Sequence, residues 1–142
     1  MIEIDHPFHN ANGTDYTWEA ILDLDRVIPC VEGGRVIERT SPESAKAEIL
    51  VKMGAMSLKF VGTVDVAERD DAAHTARLKV KSREAGGQGY ANADVTFTIN
   101  DSGGEIHTAA QIAGKAASMG EGVAQTVLDA LIKNFTESLE KI

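Results

Sequence analysis

The residues able to do chemistry are few and scattered. His6, His9, His74 and His107 are the histidines. His6 and His9 are three positions apart, so on a strand they point to opposite faces. All of them read as surface or half-buried structural histidines. A zinc site needs convergent ligands at characteristic spacing, and the sequence offers none. Cys30 is the only cysteine. Beside Pro29 and with no base next to it in the chain, it reads as a small buried hydrophobe rather than a nucleophile. The run Gly86-Gly87-Gln88-Gly89 invites a nucleotide reading. It lies between two predicted strands and opens no helix, so it fails the dinucleotide and phosphate-loop tests and reads as a bulged hairpin loop. Gly114-Lys115 lacks the upstream glycine of a phosphate loop. No catalytic residue and no metal site is expected.

The elements that would hold any site are plainer. From Ala45 to Ile112 apolar residues recur at every second position, the mark of strands with one buried face. Ala45, Ala47, Ile49, Val51 and Met53 alternate with Lys46, Glu48 and Lys52, and Gly54-Ala55 reads as a tight turn. Leu58, Phe60, Val64 and Val66 follow, then a turn-rich stretch from Glu68 to Ala73. Ala76, Leu78 and Val80 form the next inward set, and Ala91, Ala93, Val95, Phe97 and Ile99 the one after. Asn100 to Gly104 is a turn signal, with a last strand over Glu105 to Ile112. Short turns between successive strands predict an antiparallel meander.

The period then changes. Val123, Val127, Leu131, Phe135 and Leu139 recur every fourth residue, with Leu128, Ile132 and Ile142 alongside. This predicts one amphipathic helix from Met119 to about Glu140, with Val127, Leu131 and Phe135 against the sheet. Upstream, a strand is expected over Ile2 to Asn10 and a short helix over Thr14 to Leu22, with Thr14 as its N-cap. Pro29 and Gly33-Gly34 break the chain before a strand over Arg35 to Thr40. No linker or repeat interrupts the order, so residues 1–142 are read as one domain.

Composition narrows the partners. Fourteen basic residues against 22 acidic ones give a net charge of -8, and the cations are spread over separate strands. Phosphate backbones are bound largely by charge neutralisation, so nucleic acid is not an expected partner. The N-terminus lacks the basic and apolar regions of a signal peptide, and no apolar run is long enough to span a bilayer. A cytoplasmic address with at most peripheral membrane contact is the expectation.

The ordered set of residues resembles a known family. It comprises Trp18, Leu22-Asp23, Ile28-Pro29-Cys30 with Gly33, Val51-Lys52-Met53-Gly54 and Phe60-Val61-Gly62-Thr63-Val64. It continues through Gly86-Gly87-Gln88-Gly89, Gly114-Lys115-Ala116 and Met119-Gly120-Glu121-Gly122-Val123. Taken together they resemble the G-subunit family of carbon monoxide dehydrogenase, within the START/polyketide-cyclase/pollen-allergen superfamily. The resemblance implies an α+β helix-grip fold. In it a curved antiparallel sheet of about seven strands wraps a long C-terminal helix, with two short helices after the first strand and an apolar cavity between sheet and helix. It also implies service to molybdenum hydroxylases or to carbon monoxide- or hydrogen-oxidising enzymes, bringing them into contact with the membrane or its quinone pool. Better-known members carry a C-terminal extension implicated in membrane attachment, whereas this sequence stops at Ile142, and Ala109 stands where relatives often have an acidic residue. Membrane anchoring is therefore not expected.

The residues offer a hint of a cavity of their own. Ala45, Ala47, Gly62, Ala76, Ala91, Ala93 and Ala110 face inward, with Thr108 the polar exception, and aromatics make up only 5% of the chain. Such small side chains either let the helix sit close or leave a hole. Gly120 and Gly122, at the start of the helix, suit close packing or a flexible entrance equally. The expected function is a non-catalytic carrier for an apolar small molecule, a quinone or lipid, serving a large redox enzyme. A ligand-free assembly subunit and a cyclase- or hydrolase-type enzyme are the alternatives. The ligand is expected against Val51, Met53, Phe60, Leu78, Val95, Phe97, Met119, Val123 and Val127. The charge of -8 predicts weak binding to anionic vesicles. Flotation at moderate salt should leave most of the protein unbound, and strong, salt-sensitive flotation would expose a hidden cationic patch.

Overall fold

A computed structural model describes residues 1–9, 13–53, 55–101, 103–115 and 117–141, without the side chains of Met53 and Met119. Strand β1 (Ile2–His9) leads into helix α1 (Thr14–Leu22), the short helix α2 (Leu24–Val27) and a 3-10 turn (Ile28–Cys30). Six strands follow: β2 (Gly34–Ser41), β3 (Ser44–Met53), β4 (Met56–Asp70), β5 (Thr75–Glu84), β6 (Gly89–Ile99) and β7 (Gly103–Gly114). A second 3-10 turn (Ala117–Met119) precedes helix α3 (Glu121–Glu140). The seven strands form one antiparallel sheet in the order β1-β7-β6-β5-β4-β3-β2. The meander is as the short turns imply, and β1 closes it by pairing with β7.

The register explains where the sheet is thin. One row across it reads Ala47, Gly62, Ser82, Ala91 and Ile112. The next reads Ala45, Val64, Val80, Ala93 and Ala110. Two rows further on, Ala76, Phe97 and Ile106 lie side by side and are buried. The sheet is thus floored with small side chains at one end and filled with large ones at the other. Gly62 marks the tightest approach: a Cβ there would come within 1.8 Å of the Lys81 carbonyl oxygen. No other residue fits so close a contact between β4 and β5.

Helix α3 lies on the inward face and is held at its C-terminal half. Phe135 and Leu139 are buried, and the Phe135 ring sits 6.0 Å from that of Phe97. Asn134 Nδ2 donates to Glu32 Oε2 at 2.9 Å, and the His9 amide donates to Glu140 Oε1 at 2.8 Å.

Several expectations need correction. The helix begins at Glu121, and Met119 belongs to the preceding 3-10 turn. Val123 is 40% exposed, and Ala124 is buried in its place. A strict four-residue period drifts off the helix face. At about 100° per residue, Val123 lies about 120° from Phe135 whereas Ala124 lies about 20° away. Thr14 is the first helical residue rather than the cap; Gly13 occupies that position with φ 91° and no side-chain cap bond. Strand β4 runs on to Asp70, so Glu68, Arg69 and Asp70 are strand, after a register shift between Val66 and Glu68. The bulge hid this strand end, because it breaks the alternation there. Gly54 and Asn10 lie outside the described residues. Phe135→Ala should cost about 3–5 kcal/mol, the usual range for a buried phenylalanine, and Val123→Ala under about 0.5 kcal/mol. Urea unfolding of the two variants checks both values.

Candidate functional site

Between the small-residue rows and α3 lies a cavity of about 280 Å³. The sheet contributes Ala47, Gly62, Val80, Ala91, Ala93 and Ala110 to its floor, with Val51, Phe60, Leu78, Val95 and Phe97 around them. Val127, Leu128, Leu131 and Ile132 of α3 form the roof, and Val27, Ile28 and Val31 close one flank. The small inward residues therefore leave a hole rather than drawing the helix down.

Of the expected ligand contacts, Val51, Phe60, Leu78, Val95, Phe97 and Val127 line this cavity. Val123 does not line it, since it faces outward. The side chains of Met53 and Met119 lie outside the described residues. The alternation pattern missed Ser82, which continues the inward phase of Leu78 and Val80 and was legible from it. It also missed Ala124 and Ile132, which the true helical period would have found. Val27, Ile28 and Val31 reach the cavity only through the fold of α2 and the following turn, and the sequence carries no signal for that.

Charge is kept off this site. Glu48 borders the cavity, but its carboxylate is taken by Arg35 and by Lys59 at 3.2 Å, and these cations hold its pKa below the usual carboxylate range. The hydroxyl of Ser82 donates to the Ala91 carbonyl at 2.5 Å. Thr108 is buried against the cavity, and its hydroxyl has no partner among the described residues. Such a surface can hold an apolar molecule and offers little to an ion.

The groups that could do acid–base chemistry sit elsewhere. Cys30 is buried, its thiol donates to the Arg26 carbonyl at 3.4 Å, and burial pushes its pKa up, which disfavours the thiolate. Trp18 lies outside the cavity lining; its Nε1 donates to Asp71 at 3.0 Å and its ring meets His74 edge-on at 5.3 Å. Among the described residues no group of three or more His, Cys, Asp or Glu side chains is placed to hold a metal ion. Gly122 has open space around it, so close packing does not explain it. Gly120 has φ 96°, a conformation that favours glycine.

An antiparallel seven-stranded sheet gripping one long helix over an apolar cavity defines a helix-grip, START-like protein. Solved structures share the fold. A conserved protein from Geobacillus kaustophilus aligns with TM-score 0.76 and 21% identity, over 98% of this chain and 90% of that one. A START superfamily protein from Mycobacterium smegmatis aligns with TM-score 0.62 and 8% identity, over 98% and 94%. The Zhui aromatase/cyclase of a Streptomyces species aligns with TM-score 0.54 and 13% identity, over 99% and 89%. Among curated proteins none matches the chain in sequence. The family model of the carbon monoxide dehydrogenase G subunit (CoxG) matches residues 8–142, and the chain belongs to that family. No helix among the described residues is long and apolar enough to cross a membrane.

On the outer surface, His107 Nδ1 lies 2.6 Å from Asp5 and its Nε2 lies 3.5 Å from Glu3. The hydrogen bond to Asp5 is the main reason its pKa is raised. The imidazolium therefore favours the folded chain below about pH 6.5, and this contribution disappears as pH rises through the raised value. The side chain is 43% exposed, so the effect is under about 1 kcal/mol. The stability gap between the parent and His107→Gln should shrink from about pH 5.5 to 8.5, measured by urea midpoints.

Proposed function

We propose that the chain is a non-catalytic carrier for a long apolar molecule, with a quinone as the leading candidate. In this reading it serves a carbon monoxide dehydrogenase- or hydrogenase-type redox enzyme. The observation that carries the proposal is the cavity of about 280 Å³, lined almost wholly by apolar groups. It is just below the roughly 300–1,000 Å³ of ordinary ligand pockets. The family relationship supports the kind of enzyme served. The likeness to an aromatase/cyclase carries the fold alone, since one fold hosts many functions.

The packing of α3 supports a way in. Its C-terminal half is buried through Phe135 and Leu139, whereas Val127, Leu128 and Leu131 over the cavity are half-buried. The N-terminal end starts at Gly120 without a side-chain cap and continues through Gly122. A helix held firmly at one end opens most readily at the other.

Burial of about ten carbons of prenyl tail, at about 0.8 kcal/mol each, corresponds to micromolar affinity. Calorimetry with a short-chain quinone should show binding in that range, and Ala93→Leu, which fills the floor, should abolish it while the protein stays folded. Trp18 fluorescence is a poor readout, because that side chain lies outside the cavity lining. Absence of heat in calorimetry, with unliganded protein purified from its own organism by native mass spectrometry, would favour the assembly-subunit reading.

A further inference from the structure

Among the described residues, Thr108 is the buried polar side chain of the cavity whose hydroxyl has no partner. It is 3% exposed and lines the cavity. In register it stands between Ile4 of β1 and Val95 of β6, while Ile106 and Ala110 precede and follow it on the same face. None of these side chains can take a hydrogen bond. Among the described residues, its Oγ1 is the buried side-chain oxygen without a partner. Leaving a buried hydroxyl unpaired is unfavourable, and valine would fill the same space without that penalty. Ser82 differs, since its hydroxyl already donates to the Ala91 carbonyl.

Position along the cavity matters as well. Thr108 lies one row from the Phe97–Ile106 row that fills the closed end, while Ser82 lies two rows further toward the start of α3. A ligand entering beside the start of α3 would thus pass the row of Gly62, Ser82 and Ala91 first and reach the Thr108 hydroxyl last.

We infer that the Thr108 hydroxyl is the deep anchor of the ligand and donates a hydrogen bond to a neutral carbonyl oxygen at its leading end. This rests on the carrier reading above and specifies the ligand class it takes. A carboxylate or phosphate is disfavoured, because the carboxylate of Glu48 is occupied by Arg35 and Lys59 and no cation lines the cavity among the described residues. A pure hydrocarbon would leave Thr108 unserved. The ligand therefore enters carbonyl first, with its tail toward the start of α3.

The test uses the full chain and three probes of equal tail length: hexyl-benzoquinone, hexylbenzene and 4-hexylbenzoate. Thr108→Val removes the hydroxyl at constant shape, and Thr108→Ser keeps it. Calorimetry should show quinone affinity falling about five- to tenfold in Thr108→Val and recovering in Thr108→Ser, with hexylbenzene changed less than about twofold in either. 4-Hexylbenzoate should bind weakest to all three proteins. In the absence of ligand, Thr108→Val should melt at or above the parent temperature, as expected for a hydroxyl without an internal partner. If Thr108→Val binds the quinone as tightly as the parent, the anchor is refuted and the carrier reading stands. A clearly lower melting temperature of unliganded Thr108→Val would equally refute it, because the hydroxyl would then have a partner in the free chain. If the parent binds neither the quinone nor hexylbenzene, the carrier reading itself fails and the anchor falls with it.

Discussion

One helix has to cover seven strands, and the rest of the structure follows from that mismatch. Strands about 4.8 Å apart would spread a flat seven-stranded sheet over about 29 Å, whereas a helix with its side chains is about 10–12 Å across. Only a sheet curled round the helix can bury its inward face. Gly62 permits the close approach of β4 to β5, and register shifts in β2 and β4 break the regular ladder. Between the small-residue rows of the sheet and α3 this leaves the cavity. Where the row is Ala76, Phe97 and Ile106 the gap is filled; where it is Ala47, Gly62, Ser82 and Ala91 it is not.

That gradient divides the helix into two halves of different character. Phe135 and Leu139 belong to the cluster that includes Phe8, Trp18 and Phe97, and the polar ties to Glu32 and His9 secure the same half. The other half buries Ala124 and Ile132 but sets the half-buried Val127, Leu128 and Leu131 over the cavity, beginning at glycine. Stability concentrated at one end of an element leaves the other free to move at small cost. The cavity and its lightly packed border thus have one origin in how side-chain volume is distributed along the sheet.

The two faces of the strands separate electrostatics from binding. Arg77 pairs with Glu68 at 3.1 Å and Asp94 at 2.8 Å, while Leu78 and Val95 face the cavity from adjacent positions on the same strands. Period-two alternation sends charge to the outer surface and carbon to the inner one. A net charge of -8 is therefore compatible with an interior suited to a neutral ligand. Among the described residues, Glu48 is the titratable side chain at the cavity, and Arg35 and Lys59 occupy its carboxylate.

Much of the fold was legible in the alternation of Ala45 to Ile112 and in the apolar stripe ending at Leu139, because periods of two and near four are local consequences of backbone geometry. The ordered motifs from Trp18 to Val123 carried the family, and the inward alanines carried the suggestion of a hole. Local pattern could not choose between a hole and a close-packed helix, since that depends on how far the curled sheet holds α3 away. Nor could it give Val27 and Ile28 a place at the cavity, which depends on how the short helices fold back over the sheet. The helix phase misled at Val123 because a four-residue count drifts from the true turn, and the burial of Ala124 shows which face packs. Thr108 could be assigned to the inner face from sequence. That its hydroxyl has no partner among the described residues could not, because its neighbours Ile4 and Val95 come from distant parts of the chain and meet only in the folded sheet.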